Sequence, residues 1–199
     1  MAPRDPEATK ERILAAALRE FSDKGIDGAR VDAIAARAKA NKRMLYYYFG
    51  SKDGLFREIL RRRLVERMAL LHSTEPSADR LATRQERMLR ESQYVRLLMW
   101  EALQTSPTRP ANEEIRRDFY RTWIEVVEAE QAAGNVAPDL DPAQLVLSEV
   151  FLIIGPVAFP QLTRLVTGLA ATDPDFATRR AEFLESLEQR MEAPLPVRN

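Results

Sequence analysis

No cysteine occurs among the 199 residues, so a disulfide framework and a thiolate metal site are both excluded. Histidine is almost as scarce. His72 stands alone, which leaves little acid–base chemistry, and no Ser/His/Asp set, metal-ligand spacing or phosphate-cradling loop accompanies it. An enzyme is therefore the function class the sequence favours least, and neither a cofactor nor a metal is expected. Long apolar runs are also missing. The longest uncharged stretch, 150–163, is interrupted by Gly155, Pro156 and Pro160, whereas a membrane-spanning helix needs roughly 20 apolar residues. The first ten residues carry Arg4, Asp5, Glu7 and Lys10 where a secretory signal would be apolar. No membrane partner is expected, and the cytoplasm is the expected location.

Charge of one sign is lacking overall, since 30 basic residues balance 30 acidic ones. The distribution is uneven, however. Residues 1–60 carry a net charge of +3, and all five lysines lie at or before Lys52. Between Arg30 and Arg43, the cations Arg30, Arg37, Lys39, Lys42 and Arg43 face Asp32 alone. A local basic patch on a neutral chain suits a protein that docks one face on phosphates.

Helical periodicity dominates, and no convincing two-residue alternation appears. Asp5-Pro6-Glu7 reads as a helix start, and Leu14, Ala17, Leu18 and Phe21 mark one buried face that ends at Gly25 and Gly28. Val31, Ile34, Ala35 and Ala38 repeat the spacing in a second, short helix. Lys39-Ala40-Asn41 reads as a tight turn, and Asn41 as the cap of a third helix over about 42–48. Gly50 stops it, and Ser51 caps a fourth helix through Phe56, Leu60, Leu64, Met68 and Leu71. Beyond a break at Glu75-Pro76-Ser77, helices are expected over about 78–104, 112–133 and 142–154, with a last one from Pro174. Gly155, Pro156 and Pro160 should kink or break the third of these.

Two short helices joined by a three-residue turn, the second one basic, form a helix-turn-helix arrangement. Its second helix must present polar and basic side chains to a major groove about 12 Å wide. Lys42 and Arg43 occupy the first positions of that helix and face outward if Leu45 and Phe49 face inward.

Here the chain resembles the TetR family of bacterial regulators. The resemblance is carried by Thr9, Ile13, Ala16, Ala17, Phe21 and Gly25, by Val31, Ile34, Ala35 and Ala38, and above all by the run from Leu45 to Leu55. It implies an all-α protein with a three-helix DNA-binding domain over 1–52 and a helical ligand-binding and dimerisation domain over 53–199. It also implies that Lys42, Arg43 and Tyr47 reach base edges and that Arg30, Tyr46, Tyr48 and Lys52 hold phosphates. Met44 replaces a common small hydroxyl residue and is expected to touch a thymine methyl. Lys39 replaces the usual turn glycine, so a non-glycine residue is expected at positive φ.

The implied partners are a double-stranded, palindromic DNA operator, a second copy of the chain and a small-molecule effector. Repression relieved by the effector is the expected mode; a helical carrier that has lost DNA binding is the alternative. Tyr94, Trp100, Tyr120, Trp123, Phe151 and Phe159 are either ordinary core or the lining of an effector pocket, and spacing is compatible with both. The same holds for Glu101, Gln104 and Gln161 as surface or ligand-orienting groups. Arg61-Arg62-Arg63 lies more than two turns into the fourth helix and reads as a solvated or interface face. The apolar stretches 146–151 and 176–191 need cover beyond one small domain, which a four-helix interface between two copies would supply.

Overall fold

A computed structural model describes residues 5–71, 81–104 and 110–192. Arg4, His72, the break expected at Glu75-Pro76-Ser77 and the tail after Glu192 lie outside the described residues, as does the Gln104 side chain. Every element among the described residues is a helix. The chain forms two compact units, one of residues 1–65 and 93–115 and the other of 66–92 and 116–199.

The first unit begins with α1 (Pro6–Gly28), whose Asp5 carboxylate accepts the backbone N–H groups of Glu7 and Ala8 at 3.0 and 3.3 Å. These are two of the orphan donors every helix start leaves. Gly25, at φ 70°, interrupts α1 before its final turn, at the expected exit. Helices α2 (Val31–Arg37) and α3 (Lys42–Phe49) follow, then α4 (Lys52–Leu71). Their apolar stripes meet in one core of Ile13, Ala17, Phe21, Ile34, Ala38, Leu45, Leu55, Phe56 and Leu60. The rings of Phe21 and Phe56 meet edge to face at 5.5 Å.

One helix was expected over 78–104. Instead, α5 (Leu81–Arg90) and α6 (Ser92–Gln104) are separated by a turn at Glu91. The reason is a division of labour. Leu81, Gln85 and Met88 are buried in the second unit, whereas Tyr94 and Leu97 complete the core of the first. Neither glycine nor proline marks the break, so the local sequence carries no signal for it. Helix α6 is further tied down by polar contacts. The Trp100 indole donates to the Ser22 carbonyl at 3.1 Å, and buried Glu101 accepts the Ala111 N–H at 2.8 Å.

On the surface of the first unit, Glu58 accepts from Arg61 at 2.8 Å and from Arg62 at 3.0 Å, and Arg62 also reaches Glu11 on α1. The Arg61 hydrogen bond chiefly, against the cost of burial and with help from Arg62, lowers the Glu58 pKa to about 2. Buried Glu20 is also lowered, first by its hydrogen bond from Lys24 and against desolvation. A carboxylate depressed in the folded state stabilises above its unfolded pKa, and that contribution is lost as pH falls through the folded value. Urea midpoints followed by circular dichroism should therefore drop steadily from pH 5 toward pH 2. In Glu58→Gln the drop should be visibly shallower.

The second unit holds α5, α7 (Glu113–Ala132), α8 (Pro142–Ala158), α9 (Pro160–Thr167) and α10 (Pro174–Glu192), with α7 entering from the first unit at its N-terminus. Helix α5 packs against α8 and α10. Glu188 accepts the Leu81 N–H at 2.7 Å, and Arg84 pairs with Glu149 at 3.2 Å. Of Gly155, Pro156 and Pro160, all expected to kink or break this stretch, the first two lie inside α8, which runs on to Ala158, and the break comes at Pro160, where α9 starts and the chain bends by 90°. Pro156 cannot donate to the Leu152 carbonyl four residues earlier. The Arg180 guanidinium of α10 donates to that oxygen instead, at 2.9 Å. Among the described residues no single helix is long and apolar enough to cross a membrane.

Candidate nucleic-acid interface

Helix α3 is amphipathic by burial. Leu45 is fully buried, Met44, Tyr48 and Phe49 pack against the core from partly buried positions, and Lys42, Arg43, Tyr46 and Tyr47 are exposed. Tyr47 retains 83% of its side-chain exposure, which is unusual for an aromatic without a role in contact. Asn41 fixes where the helix begins by accepting the Met44 N–H at 2.9 Å. The first exposed side chains after that cap are therefore Lys42 and Arg43.

The turn before α3 contains the irregularity expected of it. Lys39 sits at φ 51°, where a β-carbon is disfavoured. Lys39→Gly should remove that strain while adding freedom to the unfolded chain, a net gain of up to about 1 kcal/mol. Thermal unfolding measures it, and an unchanged or lower midpoint would show the turn to be unstrained.

Several cations of this face are already engaged. Lys42 pairs with Asp32 at the start of α2 at 3.1 Å, with both side chains largely in water. Such a pair is worth little, so the lysine is lightly held. The Lys52 ammonium donates to the carbonyls of Asp27 and Ala29, both at 3.3 Å, and so clips the start of α4 to the last turn of α1 and the residue after it. Arg30 is exposed at the N-terminal end of α2, and its backbone N–H points to the Glu20 carboxylate at 3.5 Å.

The junction of α3 and α4 is close-packed. Gly50 exits α3 at φ 72°. The Ser51 hydroxyl accepts the Gly54 N–H at 2.9 Å. A β-carbon on Gly54 would lie 2.2 Å from the Phe49 carbonyl oxygen, so only glycine allows α4 to start directly beneath the end of α3. Two positioning residues escaped the sequence reading. Gly54 stood only as one member of the run from Leu45 to Leu55, and Glu20 was not singled out at all. Glu20 is in fact 1% exposed and is held by Lys24 at 2.7 Å, the Arg30 N–H and Arg37. A charge placed three residues after Ala17, on the buried side of α1, was the available signal.

The six aromatics read as core or pocket are divided between the two units. Tyr94 and Trp100 belong to the first, where Tyr94 is buried. In the second, Phe119 meets the rings of both Tyr120 and Trp123, and the Arg84 guanidinium lies 4.1 Å from the Trp123 ring. Phe151 and Phe159 are exposed, as is Gln161. Gln85, unremarked in the sequence, is buried in this unit with neither amide atom paired among the described residues. A group of that kind calls for a water molecule or a ligand.

Comparison with known proteins accounts for this arrangement. Residues 13–59 match the model of bacterial regulatory proteins of the tetR family, and residues 78–188 match the tetracyclin repressor-like C-terminal domain. The HTH-type transcriptional repressor SCO4008 of Streptomyces coelicolor is 34% identical over 172 residues, covering 84% of this chain and 88% of the relative. NicS, an HTH-type transcriptional repressor of Pseudomonas putida, is 50% identical over 52 residues, covering 26% of this chain and 24% of NicS. The crystal structure of the putative regulator SCO4942 from Streptomyces coelicolor superposes with a TM-score of 0.75 at 24% identity, over 94% of this chain and 99% of that one. With both family models matched over the two halves and a curated relative aligned across most of its length, the chain belongs to the TetR family of DNA-binding transcriptional regulators.

Proposed function

We propose that the protein is a repressor that binds a palindromic operator as a homodimer and is released from it by a small molecule. The observation that carries the reading is the outward face of α3, where Lys42, Arg43 and Tyr47 stand exposed opposite buried Leu45. In this reading Lys42, Arg43 and Tyr47 meet base edges, with Arg43 over a G·C pair because its fork matches guanine O6 and N7. Met44, half-buried, reaches a thymine methyl. Arg30, Tyr46, Tyr48 and Lys52 hold phosphates, Lys52 by exchanging its backbone carbonyls for a phosphate oxygen. Functionally the chain divides into a DNA-binding part, 1–52, and an effector-binding and dimerisation part, 53–199. Its site of action is the cytoplasm.

The dimer is supported by apolar side chains left in water on α8 and α9, among them Leu147, Phe151, Leu162, Leu165 and Val166. A patch of this kind marks an interaction surface. A twofold pair sets its two recognition helices about 34–36 Å apart to enter successive major grooves. The effector acts by favouring the arrangement with the wrong spacing. A coupling of about 1–3 kcal/mol then shifts operator affinity roughly 5- to 150-fold.

The test begins with selection of bound DNA from a random pool, which should return a palindrome. On that sequence, Arg43→Ala should relax preference at one base pair per half-site. Lys52→Ala should weaken all sequences alike and reduce the salt slope by about one unit. If neither variant changes binding in gel shifts at two salt concentrations, this face is not the reader.

A further inference from the structure

An open, groove-like cavity of about 370 Å³ lies in the second unit between the end of α9 and the side of α10, lined by Thr167, Leu169, Phe176, Arg179, Arg180 and Phe183. Its chemistry is one-sided. Two guanidinium-bearing residues and two phenylalanines line it, and no carboxylate does. The Thr167 hydroxyl is already used, donating to the Thr163 carbonyl at 2.7 Å and accepting the Leu169 N–H at 3.2 Å. The polar capacity left over therefore belongs to the arginines.

Arg180 is the odd member. Its guanidinium donates to the Leu152 carbonyl and lies 5.2 Å from the Phe183 ring, but among the described residues it pairs with no acid. Its Nε is buried with no acceptor. Burial alone pushes its pKa below the ordinary value. Even so, an arginine stays protonated. A half-buried cation whose only protein acceptor is a neutral carbonyl is partly stripped of water, and an arriving anion offsets that cost. Arg179 is exposed and borders both this cavity and an adjoining groove that contains Glu182 and Arg190.

We propose that this cavity binds a small organic monocarboxylate with an aromatic or other apolar body. The carboxylate sits on the planar fork of Arg180, with Arg179 adding charge from the rim, and the body lies against Phe176 and Phe183. A guanidinium matches a carboxylate in two parallel hydrogen bonds, and the apolar walls reward burial of the remainder. A polyanion fits poorly, because only the two arginines offer charge. Binding here stands independently of DNA recognition; only its consequence for the operator rests on the function proposed above.

The test is calorimetry on the full chain without DNA, with benzoate and 1-naphthoate as probes and benzamide and 1-naphthamide as their uncharged counterparts. Arg180 also serves the Leu152 carbonyl, so Arg180→Gln by itself risks misfolding. Pro156→Ala restores the backbone N–H that this carbonyl lacks, and the charge is then removed in a Pro156→Ala/Arg180→Gln double variant. The carboxylates should bind the native protein and Pro156→Ala within threefold of one another. The double variant should bind at least tenfold more weakly, Arg179→Gln several-fold more weakly, and the amides at least tenfold more weakly than the acids. Equal binding of acids and amides, or an undiminished affinity in the double variant, overturns the proposal. So does the absence of carboxylate binding up to 10 mM probe, or a double variant that changes only the dimer dissociation constant. The last result would assign the arginine to an acid of a second copy. Gel shifts without probe read the operator function separately, so the two ideas fail independently.

Discussion

Gly54→Ala should destabilise the first unit by about 3 kcal/mol and remove most operator binding at physiological salt. The cause is steric and local. The added methyl would sit 2.2 Å from the Phe49 carbonyl oxygen, and its neighbour is backbone rather than the flexible end of a side chain. Relief requires that α4 slide away from the end of α3. That movement breaks the Ser51–Gly54 cap and draws Lys52 off the carbonyls of Asp27 and Ala29. Leu55 and Phe56, the next residues, are both in the core, so the displacement reaches the packing against Phe21 at once. Urea unfolding and gel shift on the selected palindrome measure the two effects. A variant as stable as the native protein would mean that the junction yields more easily than its geometry implies.

Glu20→Ala should cost about 2 kcal/mol, less than the 3–5 kcal/mol typical of a broken buried ion pair. The distinction follows from exposure. The Glu20 carboxylate is buried, but its partners Lys24 and Arg37 are about half exposed and regain water once the carboxylate is gone. What remains is a small cavity in α1 and an Arg30 N–H without its acceptor. Because that N–H opens α2, the loss should also loosen the turn that aims α3. Glu20→Gln keeps the volume and an acceptor, so it should recover more than half of the loss. Equal destabilisation by both variants would assign the effect to charge alone.

The helix-turn-helix could be read from the sequence because its signals are local. Asn41 caps, Gly50 terminates, and Leu45 recurs on the face set by Ile34 and Ala38. The strained turn at Lys39 was equally local. What escaped depends on distant partners. Nothing near Glu91 indicates that the residues before it serve one core and those after it another. The proline rule held at Pro160, where α9 begins, and failed at Pro156, because it cannot know that Arg180, 28 residues beyond Leu152, supplies the missing donor. Tyr94 shows the same limit. As an aromatic in a helical stretch it suited a pocket or a core equally well, and the structure puts it in the core shared with α1, α3 and α4.

The allocation of α6 has a practical consequence for spectroscopy. The chain has two tryptophans, and the units hold one each. Trp100 has its indole N–H bonded to a backbone carbonyl of α1, whereas Trp123 lies beneath a guanidinium and beside Phe119. Their emission should differ in colour and in quenching. A Trp→Phe replacement at either position then leaves a single-site optical reporter, one watching the first unit and the other the second. Effector titrations on such a pair would time the arrival of a signal in each half without any attached dye.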